Sequence, residues 1–291
     1  MAYTSPDVTM PLSARSAAGF AAIAAIAAIT ATTTAETGAS TQPSPRTLVA
    51  LLAHADDEGP IAPLVARYAR EGVKVYFIIA SDGNQGAGST GFIPRADSGP
   101  RGDELVRARA AEARCSAEAL GAQPPILLGF PDGKLGDYAA DRTLLYRLTD
   151  RIAQEFARLR PDAIITWGPD GGTGHPDHRL VSNIATQLMR AGAPGVPERL
   201  FYMNLPAEAF RAMNPQRGEP PLLIPQSKYF TVRVPFTPAD LGPGKRSMLC
   251  HRSQFTPEIV DRVVPLQARA WNGSVSLIPA VSSQGATDLF K

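Results

Sequence analysis

From residue 47 onward, short apolar runs alternate with longer amphipathic stretches, and few folds accommodate such a pattern. Each run is almost continuously apolar, which is typical of strands that helices cover on both faces. The predicted strands are residues 47–53, 73–80, 126–130 and 163–167, and the predicted helices are residues 60–70, 102–120 and 141–159. This order indicates right-handed βαβ units. We therefore predict an α/β fold, a Rossmann-like three-layer sandwich with a mostly parallel sheet.

The pattern is looser after residue 190, where proline-rich loops separate the elements. We predict strands at residues 199–204 and 229–234, then a helix at residues 238–255 followed by a short helix. The glycine-rich segment 82–100 follows a strand directly, and loops of that length at a strand end are usually functional or disordered.

Residues 1–45 differ in composition from the rest of the chain, and we expect a signal peptide followed by a flexible segment. The apolar stretch at residues 17–29 is shorter than a membrane span, and the small residues 33–35 resemble a cleavage site. Export and a mature chain beginning near Glu36 are therefore expected. The alternatives are an uncleaved anchor or an alanine-rich terminus without targeting function, which would leave the protein cytoplasmic. Residues 46–291 are predicted to form one domain.

Charge and cysteine content exclude several classes of protein. The 29 basic and 27 acidic residues give a formal net charge of +2, without a basic block that would bind nucleic acid. Cys115 and Cys250 lack the CxxC spacing of a zinc or redox motif, and the sequence leaves open whether they pair. No stable membrane span is expected in the mature chain, and the oligomeric state is also open.

Two clusters of histidine and aspartate follow predicted strands. His54, Asp56 and Asp57 come directly after the first strand, and the three-residue spacing of His54 and Asp57 allows both side chains to reach one metal ion. His175 and His178 follow the fourth strand, where a proline opens the next helix.

The predicted topology brings these two clusters together. In doubly wound sheets the first and fourth strands commonly flank the point at which the strand order reverses, and ligands bind in that crevice. His54, Asp57 and His178 would then form a two-histidine, one-carboxylate site at the carboxyl edge of the sheet, with an open position typical of catalytic zinc. Asp56 is left free of the metal and can serve as a base.

At these motifs the chain resembles the PIG-L or LmbE-like zinc-dependent N-acetylglucosaminyl deacetylases. Their usual first motif is Ala-His-Pro-Asp-Asp-Glu, from which residues 53–58 depart only by Ala55 in place of proline. Within residues 47–255, the further matches are residues 81–83, Arg109, Glu112, residues 129–133, residues 175–178, Lys245 and residues 251–254.

The resemblance implies a hydrolase that removes an N-acetyl group from a glycan, glycoside or glycolipid containing N-acetylglucosamine. It implies one zinc ion per chain, or another divalent transition metal, bound by His54, Asp57 and His178. This agrees with the argument from the strand ends. The general base falls on Asp56.

Four further roles follow from the resemblance alone. His175, as an imidazolium, would stabilise the oxyanion and protonate the leaving amine, with Asp56 returning its proton as the alternative donor, and Asp177 would orient His175. Arg109 and Asp132 would contact sugar hydroxyls; a helix-surface ion pair and a turn-forming Asp-Gly are the alternatives.

One departure concerns Thr173, since some members of the family carry a tyrosine there that can reach the oxyanion. For His251 we favour a packed helix residue beneath the site. An amidase that acts on a larger glucosaminide conjugate, and a carbohydrate-binding protein without turnover, are the alternative functions.

Overall fold

The computed structural model describes residues 45–86, 99–172, 174–204, 225–282 and 285–291. The predicted signal peptide, Thr173 and most of the loop at residues 82–100 lie outside them. The strands are β1 (Thr47–Leu52), β2 (Lys74–Ser81), β3 (Ile126–Phe130), β4 (Ala163–Trp167), β5 (Leu200–Met203), β6 (Val232–Pro235) and β7 (Ser274–Pro279). The helices are α1 (Ala62–Arg70), α2 (Gly102–Leu120), α3 (Arg142–Leu159), α4 (Pro176–Arg190), α5 (Pro238–Cys250) and α6 (Pro257–Trp271).

The seven strands form one sheet in the order β3-β2-β1-β4-β5-β7-β6. The first five are parallel, whereas β7 runs antiparallel to both β5 and β6. The predicted α/β fold with a mostly parallel sheet is therefore confirmed. β1 and β4 are neighbours, with Leu48 opposite Ala163, and the strand order reverses between them. The ligand crevice of such a sheet lies at this point.

Local sequence explains where several elements begin and end. The Asp141 side chain accepts hydrogen bonds from the backbone N–H groups of Thr143 and Leu144, which caps α3. Gly121 adopts a left-handed conformation, with φ of 73°, and ends α2. On α3, Leu148, Ile152 and Phe156 follow helical spacing and are fully buried in the core.

The prediction for the C-terminal part was incomplete. The helix expected at residues 238–255 ends at Cys250, the second helix has 15 residues, and strand β7 was not predicted. A disulfide joins Cys115 of α2 to Cys250 of α5 across a Cα separation of 5.7 Å. Among the helices in the described ranges, none has the length and apolar character required to span a membrane.

Candidate metal centre

The turn after β1 directs the first cluster toward the crevice. Oδ2 of Asp57 accepts the backbone N–H groups of Ala53 at 2.9 Å and His54 at 2.8 Å, so the turn itself fixes this carboxylate. His54 and Asp57 are 8% and 6% exposed. Two backbone N–H groups thus orient one buried carboxylate.

The second cluster lies at the N-terminus of α4. Pro176 occupies the first turn of the helix, where its missing N–H costs nothing. His178 lies two residues further, in the same first turn, and its ring stacks on Trp167 with centroids 4.3 Å apart and an interplanar angle of 5°. Nδ1 of His178 lies 3.0 Å from the carbonyl oxygen of Gly171, whose φ of 77° favours glycine.

The three predicted metal ligands meet in the crevice. Nδ1 of His54 and Nε2 of His178 are 3.0 Å apart, and oxygens of Asp57 lie 3.1 Å from the His178 nitrogen and 3.8 Å from the His54 nitrogen. A tetrahedral zinc with bonds of about 2.0–2.1 Å places its ligand atoms about 3.3 Å apart. The donor set and its spacing therefore fit a divalent metal ion.

Hydrogen-bond partners assign the histidine tautomers. Nδ1 of His178 faces a carbonyl oxygen and so carries the proton, which leaves the lone pair on Nε2 directed at the other ligands. Nε2 of His54 faces two carboxylates, which leaves its Nδ1 lone pair free for a metal in the same way.

His175 is also close enough to these nitrogens to be considered a ligand. Its ring lies 4.7 Å from that of His178, nearly parallel to it. Nδ1 of His175 accepts the backbone N–H of Asp177 at 3.2 Å, which places the proton of the neutral ring on Nε2. In its neutral form His175 therefore carries an N–H on Nε2, whereas His54 and His178 present lone pairs to the cluster.

Two carboxylates behind His54 have contacts that differ from those predicted. Oδ1 of Asp132 lies 3.0 Å from Nε2 of His54, and Oδ2 of Asp177 lies 3.3 Å from the same atom. Both oxygens of Asp177 also accept backbone N–H groups, from Gly133 and Gly136. Sequence reasoning assigned Asp132 to the sugar and Asp177 to His175; in the structure both carboxylates orient His54 instead. The signal for Asp132 was its position directly after β3, at the same edge of the sheet.

The electrostatics of the cluster follow from these contacts. Burial lowers the pKa of His54, but the hydrogen bonds to Asp132 and Asp177 outweigh it and leave the pKa well above its usual value. Burial raises the pKa of Asp57, but His178 and His54 outweigh it and hold the pKa well below its usual value. The cluster therefore concentrates negative charge that a dication can neutralise.

Asp56 lies beside the ligands but is held by different groups. Oδ1 of Asp56 accepts a hydrogen bond from Nη2 of Arg109 at 3.4 Å, and the Asp56 side chain is 16% exposed. Burial raises the pKa of Asp56, and the charge of Arg109 partly offsets the shift. A carboxylate with a raised pKa beside a metal position can accept a proton near neutral pH.

The Arg109 side chain is buried against the turn after β1. The side chain was expected to reach sugar hydroxyls, but it is 2% exposed. α2 carries it beneath the chain at Gly83 and Gly86, and Nη2 donates to the carbonyl oxygen of Ala55 at 2.5 Å. Arg109 thus supports the turn that carries the base.

The surroundings of His175 affect its protonation. Burial lowers the pKa of His175, and the neighbouring His178 and His54 lower it further. These surroundings favour the neutral form of the ring over the imidazolium. A neutral ring with its proton on Nε2 still donates a hydrogen bond.

Comparison with known proteins relates about half of the chain to one family. Residues 49–189 match the family model PIG-L, described as GlcNAc-PI de-N-acetylase. The chain is 26% identical over 250 residues to a 1D-myo-inositol 2-acetamido-2-deoxy-alpha-D-glucopyranoside deacetylase of Corynebacterium urealyticum, covering 75% of this chain and 74% of that protein. A protein of the same description from Rhodococcus jostii is 33% identical over 165 residues, covering 51% of this chain and 54% of its own length. The chain thus spans between half and three quarters of these relatives.

A solved structure shares the fold. The N,N'-diacetylchitobiose deacetylase from Pyrococcus horikoshii superimposes with a TM-score of 0.54 at 20% identity, covering 81% of this chain and 85% of that one. At that identity the likeness concerns the architecture, and the chemistry has to be argued from the side chains.

Proposed function

We propose that this chain, in which residues 49–189 form a PIG-L family domain, is a metal-dependent hydrolase that removes the N-acetyl group of an N-acetylglucosamine-type substrate and releases acetate. The observation that carries the proposal is the pairing of a three-ligand cluster, whose lone pairs converge, with a separate carboxylate beside it. The related deacetylases, which share the N-acetylglucosamine-type substrate, support it.

The metal is the first part of this proposal. His54, Asp57 and His178 would hold one divalent ion per chain, and we propose zinc because two imidazoles and one carboxylate form a common catalytic zinc set. When bound, the ion supplies Lewis acidity toward the acetyl carbonyl and makes nearby water a stronger acid.

The chain's own residues then complete the reaction. Asp56 accepts a proton from the attacking water and returns it to the amide nitrogen as the carbon–nitrogen bond breaks. Nε2–H of His175 donates to the carbonyl oxygen as negative charge develops there. Since the surroundings of His175 favour its neutral form, we propose that the proton for the leaving amine comes from Asp56.

An acetate-release assay tests the proposed reaction. Zinc-loaded protein is incubated with N-acetylglucosamine glycosides, oligosaccharides and glycolipids, and chelator-treated protein serves as the blank. Acetate release with at least one substrate class is expected. Release of only a larger acyl group would favour the amidase alternative, and binding without release would favour a carbohydrate-binding protein.

We expect the His175→Ala variant to lower kcat by about tenfold to 100-fold with little change in KM, because it removes a donor that acts mainly in the transition state. The His175→Gln variant retains an N–H donor and should recover part of the rate. Steady-state kinetics on metal-loaded proteins measure both. Equal kcat values for wild type and the alanine variant would exclude this role.

We expect the Asp132→Asn variant to bind metal about tenfold to 100-fold more weakly, because the carboxylate that accepts Nε2–H of His54 is lost. Competition with a chromogenic chelator measures the affinity. Asp150→Asn, on the exposed face of α3, is the matched control and should bind as wild type does. An unchanged affinity in Asp132→Asn would contradict the orienting role.

We also propose that the protein is exported, with a mature N-terminus near Glu36. The apolar stretch at residues 17–29 and the disulfide between Cys115 and Cys250 support this, since disulfides persist mainly in oxidising compartments. N-terminal sequencing of natively expressed protein measures the cleavage site. An intact Met1 or Met10 in the cytosolic fraction would contradict export.

A further inference from the structure

The peptide unit between Ala55 and Asp56 is held at both of its polar atoms. Its carbonyl oxygen accepts Nη2 of Arg109 at 2.5 Å, and its N–H donates to Oε2 of Glu58 at 3.1 Å. Both side chains are 2% exposed. The backbone that carries the proposed base is therefore fixed by two buried charged groups that do not belong to the ligand cluster.

This peptide unit needs such support because of the conformation of Asp56. Its φ is 99°, a value that residues other than glycine rarely adopt. Backbone of this kind persists only where the surrounding structure holds it, and it concentrates at functional sites. Ala55, which precedes it, has no ring to restrict its own φ.

Glu58 is in turn held from behind. Its Oε1 lies 2.6 Å from Nε2 of His251 and 3.4 Å from Oγ of Ser247, and it also accepts the hydroxyl of Ser116. His251 is 1% exposed, as expected of a packed histidine beneath the site. Hydrogen bonds thus use both oxygens of Glu58, one forward to Asp56 and one backward to this network.

The groups behind Glu58 come from two helices that are covalently joined. Ser116 follows Cys115 on α2, and His251 follows Cys250 at the end of α5. The disulfide between these cysteines restrains the separation of the two groups that hold Glu58. The position of the Glu58 carboxylate is therefore set by groups on α2 and at the end of α5, in addition to the turn after β1.

We propose that Glu58, held by His251, is a positioning residue that keeps the carboxylate of Asp56 aimed at the crevice through the Asp56 backbone N–H. The inference rests on the proposed role of Asp56 as the base. When a catalytic base is displaced by about 1 Å, the rate of the chemical step can fall greatly while substrate binding is unchanged. Glu58 should therefore affect kcat more than KM, and it should protect the Asp56 amide from exchange.

The test compares Glu58→Met with Glu58→Gln. Methionine keeps the volume but removes both acceptors, whereas glutamine can present its oxygen to Asp56 and its amide N–H to a neutral His251. We expect Glu58→Met to exchange the Asp56 amide at least about tenfold faster and to lower kcat about tenfold or more. KM should change less than twofold, metal content should stay near one ion per chain, and glutamine should restore most of both effects.

Exchange is followed by NMR on protein labelled with ¹⁵N-aspartate, without substrate. A folded, metal-loaded Glu58→Met protein with wild-type exchange and kcat would overturn the proposal, and so would equal defects in both variants. If Glu58→Met does not fold, His251→Leu and His251→Gln are compared instead, and only the leucine variant should speed Asp56 exchange. Wild-type exchange in both His251 variants would overturn the proposal. If Glu58→Met speeds Asp56 exchange as expected but the wild-type protein releases no acetate, only the proposed function is contradicted.

Discussion

The His178→Ala variant is expected to lose its bound metal and all measurable turnover. The substitution removes one of three protein ligands, and the remaining imidazole and carboxylate cannot hold a divalent ion tightly. His54→Ala should behave in the same way, because each histidine offers one lone pair to the cluster. Metal content after dialysis and acetate release together measure the effect, which we expect to exceed about 1000-fold in rate.

A control on the same helix separates metal loss from damage to the fold. Asn183→Ala changes an exposed residue of α4 and should keep both metal and activity. Trp167 provides a second signal, since its ring stacks directly on His178 and the protein has only two tryptophans. Bound cobalt should therefore quench Trp167 fluorescence in wild type but not in His178→Ala. A variant that retains one ion and normal turnover would rule out this ligand set.

The parallel part of the fold could be predicted because its signals are local. Each of the first four strands is a nearly continuous apolar run, and the helices between them have caps that the sequence shows directly, such as Asp141 and Gly121. Strand β7 has no comparable signal. Only Val275 and Leu277 of its six residues are buried, and the strand is defined by antiparallel pairing to β5 and β6, which lie far away in the chain.

The metal cluster could be predicted for a topological reason. His54, Asp57 and His178 follow neighbouring parallel strands, so the position of the strand ends alone brings them together. The contacts behind them depend on side-chain direction, which the sequence does not show. Asp132 and Asp177 meet at His54 in this way, and the sequence assigned both to other partners.

The contacts that support the base could not be predicted, although the burial of His251 beneath the site was. Glu58 and His251 are separated by 193 residues, and neither position has a local pattern that indicates a partner. Arg109 was assigned to the substrate from the family resemblance alone. Its burial follows from the packing of α2 under that loop, which only the three-dimensional structure shows.

The Asp56→Asn variant should retain metal and lose activity by about 100-fold or more, because only the proton acceptor is removed. Asparagine is the appropriate substitution at this position. Asp56 has a φ of 99°, and asparagine tolerates positive φ better than other residues with a Cβ, so the turn should keep its shape. Alanine would add backbone strain and would confuse a loss of chemistry with a change of structure.

In Asp56→Asn the rate should therefore fall while the metal content stays at the wild-type level, whereas in His178→Ala both should fall. This contrast distinguishes the base from the ligands, because Asp56 and Asp57 are adjacent in sequence and differ only in what holds them: Arg109 contacts Asp56, and His178 contacts Asp57. Asp57→Asn is the matched comparison and should lose metal. If Asp56→Asn lost its metal while Asp57→Asn kept it, the two roles would be exchanged, and the base would have to be sought among the residues now assigned to the ion.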